Sequence, residues 1–220
     1  MRFAAGAWVF PGGAIDDADR AHAGQLPLSL DLDDLAARIA AVRETVEECG
    51  LVLALRQAAP QKSAKLLRTS LGSGAGLATA AIEAGLAFDF DVLVPFARWC
   101  PPPQISRRFD TRFYIAVAGE GHDAATPDGT ETARLAWLTA GEVLDRANSG
   151  AARIIFPTRR NLERLSQFAS AQELVDHARA HPVELISPWI EKRDGRDHLC
   201  IPEGLGYPVT SEPIESATRA

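Results

Sequence analysis

Arg43-Glu44-Thr45-Val46-Glu47-Glu48-Cys49-Gly50-Leu51 crowds three carboxylates into one short stretch. At about 100° per residue, a helix through it puts Glu44, Glu47 and Glu48 on one side, while Leu35, Ile39, Val42 and Val46 fall on the other. One face packs and the other repels itself, because like charges one turn apart destabilise a helix by about 0.2–0.5 kcal/mol. A divalent cation would gather the three acids, and hard oxygen ligands suit Mg²⁺ or Mn²⁺. Taken alone, an E-x-x-E-E helix is more often a solvated acidic face. The spacing predicts a helix from about Asp33, with Asp31-Leu32-Asp33-Asp34 as caps and acidic first turn, ending just before Gly50 as a left-handed cap.

Upstream, Trp8-Val9-Phe10 is a short apolar run with strand character, stopped by Pro11-Gly12-Gly13. The bare backbone of that turn can come close to a ligand. With these residues in view, the chain resembles the Nudix hydrolases, whose signature reads Gly, five residues, Glu, seven residues, then Arg-Glu-apolar-any-Glu-Glu-any-Gly-apolar. Gly13, Arg43, Glu44, Glu47, Glu48, Gly50 and Leu51 match it. Asp19 stands where the first Glu belongs, and Thr45 where an aliphatic residue is usual. Residues 20–42, 23 in number, separate Asp19 from Arg43 where the signature has seven. Such an insertion, the Trp-Val-Phe-Pro-Gly-Gly lead-in and Arg107-Arg108-Phe109-Asp110-Thr111-Arg112-Phe113 resemble the subfamily that includes the peroxisomal coenzyme A diphosphatase. The likeness runs from Met1 to about Leu165.

The resemblance implies an α/β/α sandwich with a mixed sheet and an added helical insertion. It also implies divalent-metal-dependent hydrolysis of a nucleoside diphosphate linked to another group, with coenzyme A or acyl-coenzyme A as the subfamily's substrate. ADP-ribose or a dinucleotide is the alternative within the class, and a non-catalytic nucleotide-binding module the alternative outside it. Carried over residue by residue, Glu44, Glu47 and Glu48, with Gly13 through its carbonyl, hold one to three Mg²⁺ or Mn²⁺ ions. Glu47 and Glu48 are also catalytic candidates, and Arg43 pairs with Glu47 or Glu44 and fixes the carboxylate rotamers. Glu131, in a loop outside the signature, matches the position of a carboxylate that helps bind metal or activates the attacking water. Arg108 and Arg112 suit bidentate contact with phosphate oxygens. The competing reading for them is an Arg–Asp pair between neighbouring strands.

Composition narrows the field of partners. A length of 220 residues with 46% hydrophobic content suffices for a well-buried core. A net charge of −6 argues against nucleic acid or an anionic membrane as partner and leaves a small-molecule substrate. Cys49, Cys100 and Cys200 are an odd count without metal spacing, so they read as free thiols in a reducing compartment. With no long apolar run and no leader pattern, a cytoplasmic location is expected. Only ten residues precede Pro11, which implies a short sheet or a start internal to a longer product.

The chain reads as one domain, 1–220, without internal repeats. Asp16 to Asp34 reads as a polar inserted loop, and about 57–90 as a helical insertion broken at Ser70 to Gly76. Leu51 to Leu55 fits strand or helix equally. Strands are expected at Leu93 to Trp99, Phe109 to Val117 and Leu135 to Leu138. Thr139-x-x-Glu142 and Ser170-x-x-Glu173 are capping boxes that open helices. About 181–220 is a C-terminal extension, with Val183 to Ile186 and His198 to Ile201 as strands around an Asp194-Gly195 turn. Trp189 and Tyr207 have three uses open to them: packing on the body, which is the default, a lid over a base, or a homodimer interface.

Overall fold

A computed structural model describes residues 6–27, 30–102, 109–119, 125–129 and 134–217. Arg108 and Glu131 lie outside the described residues. In chain order the elements are α1 (Asp17–Ala23), α2 (Leu32–Cys49), α3 (Gln61–Gly72), α4 (Leu77–Ala84), β1 (Val94–Trp99), β2 (Thr111–Ile115), α5 (Ala140–Asn148), α6 (Phe156–Leu165), α7 (Ala171–Ala180), β3 (Leu185–Ile186), β4 (Trp189–Arg193), β5 (Arg196–Cys200), β6 (Ser211–Pro213) and α8 (Ile214–Ala217). The chain forms two compact units, one of Met1–Phe10, Val94–Ile115 and Trp137–Ala220, the other of Pro11–Leu93 and Ala116–Ala136.

The second unit is built around α2. Asp31 opens this helix by accepting from the amides of Asp33 and Asp34, and Gly50 closes it in the left-handed region at φ 67°. Leu35, Ile39, Val42 and Val46 are all buried, as their spacing requires. Removing each such side chain from water contributes about 1.5–3 kcal/mol, far more than the acidic face costs. The helical insertion is the pair α3 and α4, interrupted by Ser73 to Gly76.

Two readings in this unit need correction. Residues 16–34 are not simply a loop, because α1 occupies Asp17–Ala23. Asp16 caps it, accepting from the Asp19 amide at 2.7 Å, while Asp19 accepts from the Asp16 amide at 3.0 Å. Aspartate replaces the usual glutamate of this reciprocal cap. Leu51 to Leu55 forms neither strand nor helix; Ala54 turns to φ 56°, and Leu55 makes an isolated antiparallel bridge to Phe88.

The first unit contains a mixed sheet in the order β2-β1-β3, antiparallel at β1–β2 and parallel at β1–β3. A second, antiparallel sheet has the order β4-β5-β6. Phe96, Trp99, Val175, Ile186, Ile201 and Tyr207 share the core of the first unit. Asn161 is buried there and accepts from Trp99 Nε1 at 3.3 Å and Tyr207 Oη at 3.0 Å, which satisfies both aromatic donors. Tyr207 therefore packs inside, whereas Trp189 remains exposed. The Thr139–Glu142 box opens α5 as expected. At α7, Ser170 caps Glu173, but Glu173 reaches back to the Ala169 amide.

Three strand expectations change here. Trp8 to Phe10 has no strand ladder: Trp8 donates to the Arg153 carbonyl at 2.7 Å, and Val9 and Phe10 are exposed. Leu135 to Leu138 carries no strand, and Trp137 is exposed. The hairpin partner of β5 is Trp189–Arg193, joined through Asp194 at φ 49° and Gly195 at φ 78°, a turn with both central residues left-handed. Leu185 and Ile186 instead pair in parallel with Arg98 and Trp99.

Candidate active site

In α2 the side chains of Glu44, Glu47 and Glu48 project together, as one helical face dictates. With Arg68, Gly72, Pro127 and Asp128 they line an open cavity of about 530 Å³ in the second unit. The acids arrive from α2, Arg68 and Gly72 from the inserted α3, and Pro127 and Asp128 from a described loop segment, 125–129.

Arg43 organises the floor. Its Nη1 donates to Glu44 Oε1 at 2.8 Å and Glu47 Oε2 at 3.1 Å. Its Nε donates to Asp19 Oδ1 at 3.1 Å, and Nη2 donates to Asp19 Oδ2 and to the Ala14 carbonyl, both at 2.9 Å. One planar guanidinium thus ties α1, the 11–14 turn and two acids of α2 together. Burial by itself would lower the pKa of Arg43, but the hydrogen bond and charge of Asp19, followed by Glu44, outweigh it and hold the group more firmly protonated. The expected partners Glu44 and Glu47 are both present; Asp19 and Ala14 are additional. Asp19, at the first-acid position of the signature, is buried and spent on Arg43 and on the α1 cap.

Gly13 lies against this floor. A methyl group there would intrude on the Glu44 carboxyl, so only glycine lets the turn approach so closely. Glu48 Oε2 accepts from the Gly12 amide at 3.4 Å. Burial pushes the Glu44 carboxyl above the ordinary range, opposed by the charge and hydrogen bond of Arg43. A divalent ion suits the donor chemistry here, which offers carboxylate oxygens beside a side-chain-free backbone turn. As the side chains stand, no three His, Cys, Asp or Glu groups among the described residues converge on one point. Glu44 and Glu47 are instead turned to Arg43.

The C-terminal end of α2 is fully paired. The Gly50 amide donates to Val46 O at 2.8 Å, the Asp128 amide to Glu48 O at 3.0 Å and the Thr126 amide to Cys49 O at 2.8 Å. Arg68 covers Glu47 O from Nε at 3.2 Å and Nη2 at 3.0 Å, and Nη2 also reaches Glu48 O at 3.3 Å. Its Nη1 donates to Thr126 Oγ1 at 2.9 Å. Cys49, buried beneath, has its thiol pushed up to about 11, first by burial and then by the charge of Glu48. All three cysteines are buried thiols outside any disulfide.

Arg112 stands on β2 in the first unit, opposite Arg98 in the strand register, and does not share the unit of the carboxylates. The Arg–Asp pair between strands exists, but joins Arg98 to Asp110 at 2.6 Å. Sequence reasoning missed Arg68 and Asp128. Asp128 lies three residues before Glu131 in a loop already suspected, whereas Arg68 had only an indirect signal: the last turn of α2 has no basic residue of its own.

No family model matches the chain. Among solved structures it is similar to the crystal structure of a NUDIX hydrolase from Alicyclobacillus acidocaldarius, at 33% sequence identity and a TM-score of 0.66, covering 80% of this chain and 83% of that one. No helix of the described residues is long and apolar enough to cross a membrane.

Proposed function

Because the chain belongs to the Nudix hydrolases and is a pyrophosphohydrolase of that α/β fold, we propose that it cleaves a nucleoside diphosphate linked to another moiety, with coenzyme A or acyl-coenzyme A as substrate and Mg²⁺ or Mn²⁺ as cofactor. Residues 1–220 act as one Nudix domain. The observation that carries this reading is the acidic cavity floor, three carboxylates of one helix of which two, Glu44 and Glu47, are held by a single buried arginine.

Glu44, Glu47 and Glu48, with the Gly13 carbonyl, would hold the metal. A bound divalent cation supplies charge neutralisation for the diphosphate and an acidified water. Arg43 orients the Glu44 and Glu47 carboxylates. Glu47, Glu48 and Glu131 are the groups that would take the proton of the attacking water. Arg108 and Arg112 would bind phosphate oxygens. The coenzyme A assignment is supported by the Trp8 to Gly13 lead-in and by the long insertion between Asp19 and Arg43.

The test is incubation with Mg²⁺ or Mn²⁺ and coenzyme A, acetyl-coenzyme A, ADP-ribose, NADH and diadenosine polyphosphates, with Glu48→Gln as control and products identified by mass. Adenosine 3′,5′-bisphosphate formed only with metal and the unaltered chain is the expected result. AMP from ADP-ribose or a dinucleotide would replace the substrate and keep the mechanism. Equal turnover by Glu48→Gln would refute the role of the acidic face.

A further inference from the structure

We propose that Arg68, on the inserted helix α3, is a positioning residue of the active site: it clamps the 125–129 loop segment to the C-terminal end of α2 and so fixes where Pro127 and Asp128 stand over Glu47 and Glu48. Its effect on turnover rests on the pyrophosphohydrolase reading of this cavity; the clamp itself rests on geometry alone.

A helix of this length ends with four carbonyls lacking partners within it, and with the negative end of its dipole. In α2 that end also carries Glu47 and Glu48 and has no basic residue in its last turn. Left so, negative charge accumulates where a polyanionic substrate must bind. Arg68 supplies the missing cation from a different helix and takes Glu47 O and Glu48 O, leaving Glu48 O shared with the Asp128 amide and Cys49 O to the Thr126 amide. The remaining arm of the fork reaches Thr126 Oγ1. Loop and helix end are therefore joined by two backbone amides and bridged by one guanidinium.

The donor inventory separates positioning from substrate binding. A guanidinium has five N–H groups, and Arg68 makes four hydrogen bonds to protein oxygens. Little capacity remains for phosphate, so the side chain holds the cavity wall. Lysine would not substitute, since a single ammonium cannot span Glu47 O, Glu48 O and Thr126 Oγ1. Gly50 makes room for the clamp: a Cβ there would stand 2.8 Å from Arg68 Nη1. The helical insertion thus contributes a working part of the site.

The experiment compares the unaltered chain with Arg68→Lys, Arg68→Gln and the milder Thr126→Val, reading kcat, KM, Tm and amide hydrogen exchange at Thr126 and Asp128. Expected is a fall in kcat of about tenfold or more for both Arg68 variants, with KM changed by less than about threefold, because a small displacement of a catalytic wall lowers rate more than binding. Thr126→Val should fall between them and the unaltered chain. Protection of the Thr126 and Asp128 amides should drop in Arg68→Gln while that of Gly50, bonded to Val46 O, persists. Unchanged kcat in Arg68→Lys and Arg68→Gln, or retained protection at both loop amides, overturns the proposal. If the unaltered chain turns over none of the panel, the substrate reading fails, and amide exchange still decides the clamp.

Discussion

Arg43→Lys keeps the charge of the site and should still cost it both stability and turnover. Arg43 is only 7% exposed and Asp19 only 1%. The guanidinium serves Asp19 and Ala14 from Nε and Nη2, and Glu44 and Glu47 from Nη1. One ammonium cannot occupy the positions of all three nitrogens, so lysine keeps either the Asp19 side or the Glu44–Glu47 side. About two hydrogen bonds to charged groups are lost, each contributing about 1.5 kcal/mol or more, for a total of about 3 kcal/mol. Removing the cation altogether, as in Arg43→Met, should cost about 3–5 kcal/mol, because the buried charge of Asp19 then loses its counter-ion and keeps only the Asp16 amide. At about 2–4 °C per kcal/mol for a chain of this size, Arg43→Lys should lower Tm by about 6–12 °C. Calorimetry and steady-state kinetics on the same preparation measure both effects, and a cycle with Asp19→Asn should give a coupling of about 1–3 kcal/mol. A Tm within about 2 °C of the unaltered chain, additive single effects and unchanged kcat would refute the reasoning.

Other outcomes follow from single contacts. Gly13→Ala should displace the Glu44 carboxyl rather than backbone and with it the Arg43 hydrogen bond, so Tm should fall by about 3–6 °C while kcat falls; a folded variant with full turnover would show that the close approach is dispensable. Cys49 should resist a disulfide reagent at pH 8, where a thiol titrating at about 11 has little thiolate, and react only on unfolding; rapid labelling of the native chain at Cys49 would contradict this. The Arg98 hydrogen bond holds Asp110 below the ordinary carboxylate range. A depressed acid stabilises above its unfolded value of 3.8 and loses that contribution as pH falls through its lower folded value. The pair is exposed and screened, so Asp110→Asn should cost no more than about 1 kcal/mol at neutral pH and nothing in strong acid, as urea titrations at the two pH values would register.

Local pattern and long-range geometry divide cleanly in this protein. The periodicity of Leu35, Ile39, Val42 and Val46, the acids around Asp31 and the glycine at 50 were enough to define α2, its buried face and its acidic face, since each depends on neighbours within one or two turns. The caps at Thr139 and the break between α3 and α4 were legible for the same reason. Short segments were not: Trp8 to Phe10 and Leu135 to Leu138 have strand composition, but a strand exists only where a partner accepts its amides, and β5 found its partner at Trp189–Arg193 rather than at Val183 to Ile186. The α1 helix was missed because its cap uses Asp19 where glutamate is usual. By itself the sequence determined which acids share a face and which glycine closes the helix that carries them. Only the tertiary structure decided which distant groups complete that face, Asp19 behind Arg43 and Arg68 beneath the 125–129 loop segment, because a guanidinium selects its oxygens by position in space and positions 24 and 58 residues apart carry no periodic trace in the chain.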